Sequence, residues 1–350
     1  MALFEVTDLD RKIWEEELKD FLPDKILDVH THVYRKEDIQ RSSVKHAGIV
    51  TWTQAVAEDD PIEDLQETYR LMFPGKEVTA LMFGSGNIRD KHNAYVSSVS
   101  RSTGWPALYY SHSSETADEL EQKIREGGFL GTKSYLDMSP SYIPAEEIRI
   151  FDFFPRHQLE RLNEMGAIVM CHIPRSKRLR DPVNYQQIAE IKRDYPNLRF
   201  IVAHIGRAYV KEDIGDAFDT LDQYPDLMYD FCANCCEYAI TEVIRHAGVK
   251  HVMFGTDMPI LRMRTRRIEE NGTYVNLVPP GLYYDPNHDP HLREVSEEEG
   301  KKITFFAYEE LLALKRAAKT LGLTRQDIED IMYNNAAELI AGARKSIYGV

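Results

Sequence analysis

Lys25-Ile26-Leu27-Asp28-Val29-His30-Thr31-His32-Val33 is an apolar, β-branched run that carries two histidines one residue apart near its end. Such a run reads as a strand. Alternate residues of a strand point to the same side, which places Asp28, His30 and His32 on one face. Two imidazoles so placed on a rigid element can reach one metal ion, at about 2.0–2.1 Å if that ion is zinc. Three later apolar runs end on residues of the same chemical type: His172 after Ala-Ile-Val-Met-Cys, His204 after Phe-Ile-Val-Ala, and Asp257 after Val-Met-Phe-Gly-Thr. Metal-binding side chains at the ends of four separated strands point to one shared centre.

Working outward, apolar runs alternate with longer segments of helical periodicity, the mark of parallel strand–helix units. Eight such runs can be counted, at 26–33, 78–83, 107–110, 129–136, 167–173, 199–205, 227–231 and 251–255. Thr116 or Ser114 ahead of 117–126, and Asp181-Pro182 ahead of the segment ending near Tyr195-Pro196, are ordinary helix starts. Eight units predict an α/β fold, a single (β/α)8 TIM barrel over residues 1–350. The histidines and Asp257 then lie at the C-terminal ends of the strands, where barrels of this kind carry their chemistry. Two insertions, about 34–60 and 258–302, leave those same strand ends as long loops. The second contains Pro279-Pro280-Gly281 and Asp285-Pro286-Asn287-His288-Asp289-Pro290, which predicts an ordered but irregular loop. Extra helices are expected at both termini, the last capped by Thr324 with Asp327 three residues on.

Composition narrows the class. A 43% hydrophobic chain of 350 residues can bury a large core, while a formal net charge of −14 argues against nucleic acid or an anionic membrane as partner. The acidic N-terminal segment lacks the pattern of a signal peptide, and no apolar run is long enough to span a bilayer, so a cytoplasmic location is expected. Four cysteines, three of them in Cys232-Ala233-Asn234-Cys235-Cys236, are too few for a disulfide framework and read as packing or pocket-lining thiols. The arginines of Arg262-Met263-Arg264-Thr265-Arg266-Arg267 follow Asp257, and their guanidinium forks suit a substrate carboxylate. His288 and His291 share the spacing of a metal pair without strand support.

The motifs Asp28-Val29-His30-Thr31-His32, Gly131-Thr132-Lys133-Ser134-Tyr135, Cys171-His172, Ala203-His204-Ile205-Gly206 and Gly255-Thr256-Asp257, in this order, resemble the amidohydrolase superfamily. The likeness is to its amidohydrolase-2 branch of metal-dependent hydrolases, lactonases and decarboxylases. It implies a distorted barrel with one divalent metal, zinc first and manganese as the alternative, held by His30, His32, His172 and Asp257. It also implies Asp257 as general base, His204 as the neighbouring acid/base, or a ligand in a two-metal site, and Lys133 with Tyr135, Arg262 and Arg264 around the substrate. A carboxylated Lys133 would bring in a second ion; an unmodified ammonium would bind a substrate carboxylate. The expected function is hydrolysis of a lactone, ester or amide in a small anionic substrate. Decarboxylation of an unsaturated or aromatic acid is the alternative, and a non-catalytic ligand-binding barrel is the reading from outside enzymology. A homo-oligomer is compatible with the fold, although no feature specifies one.

Overall fold

The computed structural model describes residues 3–38, 56–85, 89–283 and 289–350. Eight parallel strands make the barrel: β1 (Lys25–His32), β2 (Glu77–Phe83), β3 (Tyr109–Tyr110), β4 (Gly131–Ser134), β5 (Ile168–Cys171), β6 (Arg199–Val202), β7 (Met228–Asp230) and β8 (Val252–Met253). β3 to β8 pair in sequence order, and β1 pairs with β2. Backbone bonds join the two sheets at both seams, Leu108 N–H to Met82 O at 2.8 Å on one side and Val29 N–H to Phe254 O at 3.0 Å on the other. The sheet therefore closes. Gly131 shows how tightly, since a Cβ there would stand 2.0 Å from the Ile168 carbonyl oxygen across the β4–β5 pair.

Inside the barrel pack Leu27, Val29, Leu81, Phe83, Ile168 and Met170, with Ala336, Leu339 and Ile340 of the C-terminal helix Asn335–Tyr348. Tyr348 at the end of that helix donates its hydroxyl to the carbonyls of Ile124 and Phe129, which precede β4. The helix thus covers the N-terminal ends of the strands and leaves the opposite end for chemistry. Helix starts follow the sequence: Thr116 with Glu119 and Thr324 with Asp327 form reciprocal caps, and Asp181 caps the helix Pro182–Asp194.

Several local expectations are corrected. β4 stops at Ser134 and β6 at Val202, so Tyr135 and His204 sit just beyond their strands. The pairing register of β1 shifts between Asp28 and Thr31, and Asp28 does not join the histidines at a common face. Its carboxylate instead accepts from Tyr69 Oη (2.6 Å), Thr256 N–H (3.0 Å), the Thr256 hydroxyl and His30 N–H (2.9 Å), which ties β1 to the chain after β8 and to the helix Ile62–Met72.

The second insertion carries a small sheet that was not anticipated, while the described residues of its proline-rich stretch, 279–283 and 289–290, are irregular as expected: β9 (Arg266–Glu270) and β10 (Thr273–Val278) form a hairpin, and β11 (Leu292–Glu294) pairs with β10. Its turn, Asn271-Gly272, has φ of 53° and 72°, the left-handed pair that a two-residue type I′ turn needs. The base of the first insertion is closed by the Tyr34–Asp60 bridge, and most of the remainder lies outside the described residues.

Asp28→Ala would leave the Tyr69 and Thr256 hydroxyls buried without their shared acceptor, at about 1–3 kcal/mol each. The expected loss of folding stability is about 3 kcal/mol or more by urea denaturation, and a loss below about 1 kcal/mol would contradict this account of barrel closure.

Candidate metal centre

Three donors meet at the C-terminal mouth. His30 Nε2 lies 3.6 Å and His32 Nε2 3.4 Å from the same Asp257 oxygen, and the three form one group of metal-ligating atoms within 4.8 Å of one another. Each imidazole is aimed from behind. His30 Nδ1 faces Asp230 Oδ2 at 3.0 Å and His32 Nδ1 the Gly84 carbonyl at 2.9 Å, so Nδ1 carries the proton in both and Nε2 keeps its lone pair for the mouth. Asp257 reaches the mouth from a left-handed backbone (φ 52°), with its N–H on the His30 carbonyl at 2.6 Å.

Asp230 was not anticipated, although a carboxylate inside the apolar run of β7 was the available signal. It is fully buried, and besides His30 it accepts the backbone N–H groups of His204 (2.7 Å) and Cys232 (3.3 Å) through Oδ1. Burial alone would raise its pKa; the charge and hydrogen bonds of His30 and His204 outweigh that and hold it at about 2. His30 moves the other way, to about 4, because burial and the Lys133 charge oppose protonation more than Asp230 favours it. Burial against Asp257 is likewise outweighed by the His32, His30 and His204 imidazoles, which keep its carboxyl low. At neutral pH the mouth therefore presents the neutral His30 imidazole beside the ionised Asp257 carboxylate, the kind of donor set a divalent cation requires. The residues fit the ion.

The remaining expected groups divide. His204 packs on His30 (ring centroids 4.7 Å) and on His172 (5.2 Å), and its Nδ1 faces both the Cys232 carbonyl and Sγ at 3.0 Å. His172 stands one ring further out, against Tyr135 at 4.5 Å, and belongs to neither group of donor atoms within 4.8 Å; its buried Nδ1 has no partner among the described residues. Lys133 is buried with its ammonium 3.5 Å from His30 Nε2 and over the Phe83 ring. No carboxylate lies within ion-pair distance of it among the described residues, and burial lowers its pKa against the pull of Asp257 and Asp230. Burial raises Tyr135 to about 12, with Arg207 pulling the other way.

Arg262 and Arg264 are not brought to the centre. Leaving β8, the chain carries them to the flank, where Arg262 binds Asp60 and Thr68 (both 3.3 Å) and Arg264 binds Asp10 at 2.6 Å. These arginines hold the barrel to its N-terminal segment and to the base of the first insertion. A second cation near the site, besides Lys133, is Arg207, which sequence reasoning missed. His204, Ile205, Gly206 and Arg207 are all left-handed (φ 50–60°), a turn that no residue pattern announces and that is costly for β-branched Ile205. Among the described residues Arg207 hydrogen-bonds the Ile173 and Arg175 carbonyls, both at 3.4 Å, and its charge depresses the pKa of His172 after burial itself. His291 stacks on Tyr274 and bonds its carbonyl, while His288 lies outside the described residues.

A family model described as Amidohydrolase (Amidohydro_2) matches residues 27–273. No curated protein matches the sequence. Among solved structures, a zinc-bound amidohydrolase from Burkholderia multivorans superposes with TM-score 0.59 at 11% identity, covering 90% of this chain and 99% of that one. A Pseudomonas putida protein assigned as a 2-pyrone-4,6-dicarboxylic acid hydrolase gives 0.54 at 16%, covering 92% and 99%. The 5-carboxyvanillate decarboxylase of Sphingomonas paucimobilis gives 0.50 at 10%, covering 91% and 99%. At these identities the likeness concerns the fold. No helix among the described residues is long and apolar enough to cross a membrane.

Two outcomes follow from the buried pair. Asp230→Asn places an amide donor against His30 and turns its proton to Nε2, so zinc affinity measured by chelator competition is expected to fall about 10- to 100-fold. In metal-free protein, His30 binds its proton near pH 4 when folded, against about 6.5 when unfolded. The unfolded chain thus holds more protons in that window, and stability present above about pH 6.5 should be lost progressively as pH falls toward 4. His30→Gln should flatten that part of a denaturation-versus-pH profile.

Proposed function

The chain belongs to the Amidohydrolase family whose model spans residues 27–273, and from that premise we propose that it is a metal-dependent hydrolase of a small carboxylated substrate with a lactone, ester or amide bond. The observation that carries the proposal is the convergence of His30, His32 and Asp257 on one point, beside two cations, Lys133 and Arg207, that have no ion-pair partner among the described residues. A divalent ion, zinc first, held by His30, His32 and Asp257 with His172 adjoining, would supply an activated water near neutral pH and a Lewis acid for the carbonyl oxygen.

The protein's own groups do the rest. Asp257 starts ionised, so its free oxygen takes the proton of the attacking water and returns it to the leaving oxygen or nitrogen. His204 has Nδ1 engaged by the Cys232 carbonyl, which leaves Nε2 for the substrate carbonyl or the leaving group. The Lys133 ammonium, in its unmodified form, and the Arg207 guanidinium pair with substrate carboxylate and fix the scissile bond at the mouth. Tyr135, protonated at neutral pH, adds a hydroxyl donor beside His172.

Two carboxylic-acid decarboxylases among the similar folds favour one second reading, loss of carbon dioxide from an unsaturated or aromatic acid with Asp257 or His204 delivering the proton. Both readings use an anionic small molecule and the same residues.

A panel of carboxylated lactones, esters, amides and aromatic acids, assayed in parallel for acid release and for carbon dioxide, separates them. Hydrolysis that disappears with chelator and returns with zinc is expected, with Asp257→Asn lowering kcat by about 10²-fold or more. Lys133→Ala and Arg207→Ala should raise KM for carboxylated substrates more than they lower kcat. Carbon dioxide release without hydrolysis would replace the first reading by the second.

A further inference from the structure

The thiol cluster at the end of β7 was read from sequence as packing or pocket-lining, and one of its members stands against the centre. Cys232 is fully buried with Sγ 3.0 Å from His204 Nδ1, and Cys232, His204 and His30 form a second group of metal-ligating atoms within 4.8 Å of one another. A tetrahedral zinc-like ion with bonds of about 2.1 Å to nitrogen and about 2.3 Å to sulfur needs donors roughly 3.5 Å apart, so modest movement would suffice.

Two features build this arrangement. Asp230 holds all three members, through the His30 ring and the backbone N–H groups of His204 and Cys232. Gly255 clears the space between two of them, since a Cβ there would meet His30 Cβ at 2.8 Å and Cys232 Cβ at 3.1 Å. Any side chain at 255 would drive the pair apart.

We propose that His30, His204 and Cys232 form a second cation position, selective for thiophilic ions and alternative to the position formed by His30, His32 and Asp257. It rests on the reading of His30 as a metal ligand, because both positions draw on that residue. With Nδ1 held by Asp230, His30 has one nitrogen to give, and so serves one ion at a time. The outer position offers a carboxylate oxygen and suits zinc or manganese; the inner one offers sulfur and suits soft ions such as cadmium. Binding there forms a sulfur–metal bond, releases the Cys232 thiol proton to solvent, and takes His204 Nδ1 from the Cys232 carbonyl onto the ion, its proton moving to Nε2. It also withdraws His204 from the proposed reaction, so a thiophilic ion would inhibit.

Metal-stripped full-length protein titrated with Cd²⁺ provides the test, reading ultraviolet sulfur-to-cadmium charge-transfer absorbance together with bound cadmium by equilibrium dialysis. The expected result is a charge-transfer band in the wild type that is lost in Cys232→Ser, with cadmium affinity down about tenfold or more. Manganese binding to Cys232→Ser, equal to wild type within about twofold because manganese prefers oxygen and nitrogen ligands, shows that the variant is folded. The band should persist in Cys171→Ser and in the Cys235→Ser/Cys236→Ser double variant. Cadmium bound by the wild type without the band, or a band surviving in Cys232→Ser, overturns the inner position and leaves the outer one standing. Failure of the wild type to bind either cadmium or manganese overturns both.

Discussion

One carboxylate organises the mouth of this barrel. Asp230 is the point at which β1, β6 and β7 are joined by polar contact: its Oδ2 meets the His30 ring and its Oδ1 the amides of His204 and Cys232. A buried carboxylate is costly unless its lone pairs are filled, and here three donors fill them. In return it fixes the His30 tautomer. Without that hydrogen bond the imidazole has no reason to keep its proton on Nδ1, and the nitrogen facing Asp257 loses the lone pair on which the centre depends.

The centre's outline was legible because strand chemistry is local. A His-x-His pair, two further strand-end histidines and a strand-end aspartate are visible as residue types at the ends of apolar runs, and eight such runs imply a closed barrel. What was not legible is long-range or conformational. Asp230 looks in sequence like a polar interruption of a short strand, and its meaning comes from a histidine 200 residues away. Arg207 enters through four consecutive left-handed residues, one of them isoleucine, which no propensity favours. Arg262 and Arg264 stood out because four arginines in six residues attract attention, but Asp60 and Asp10, remote in sequence, had already neutralised them. The Asn271-Gly272 hairpin was different. Its turn signal was present and was overshadowed by the proline-rich stretch after it.

That left-handed turn also couples strain to placement. Residues spaced three apart on one helical turn share a side, whichever hand the turn has, so His204 and Arg207 are delivered together to the flank of His172. Each left-handed non-glycine residue costs about 1–2 kcal/mol, and the turn is retained by the Asp230 contact to His204 N–H at its start and the Asn234 amide on the Ala208 carbonyl at its end. The fold thus maintains a costly backbone at the place where it sets a charged group beside the centre.

The charge balance of the mouth runs against that of the whole molecule. The chain carries a formal net charge of −14, yet among the described residues Lys133 is buried with no carboxylate in contact and Arg207 hydrogen-bonds carbonyls alone. An ammonium in low dielectric loses hydration that the distant fields of Asp257 and Asp230 only partly restore, which is why its pKa falls. A carboxylated ligand would supply the missing counter-charge directly. In the proposed reaction the net negative surface repels an anion at long range while the mouth attracts it at short range. Within a Debye length of about 8 Å at physiological ionic strength, the local cations decide.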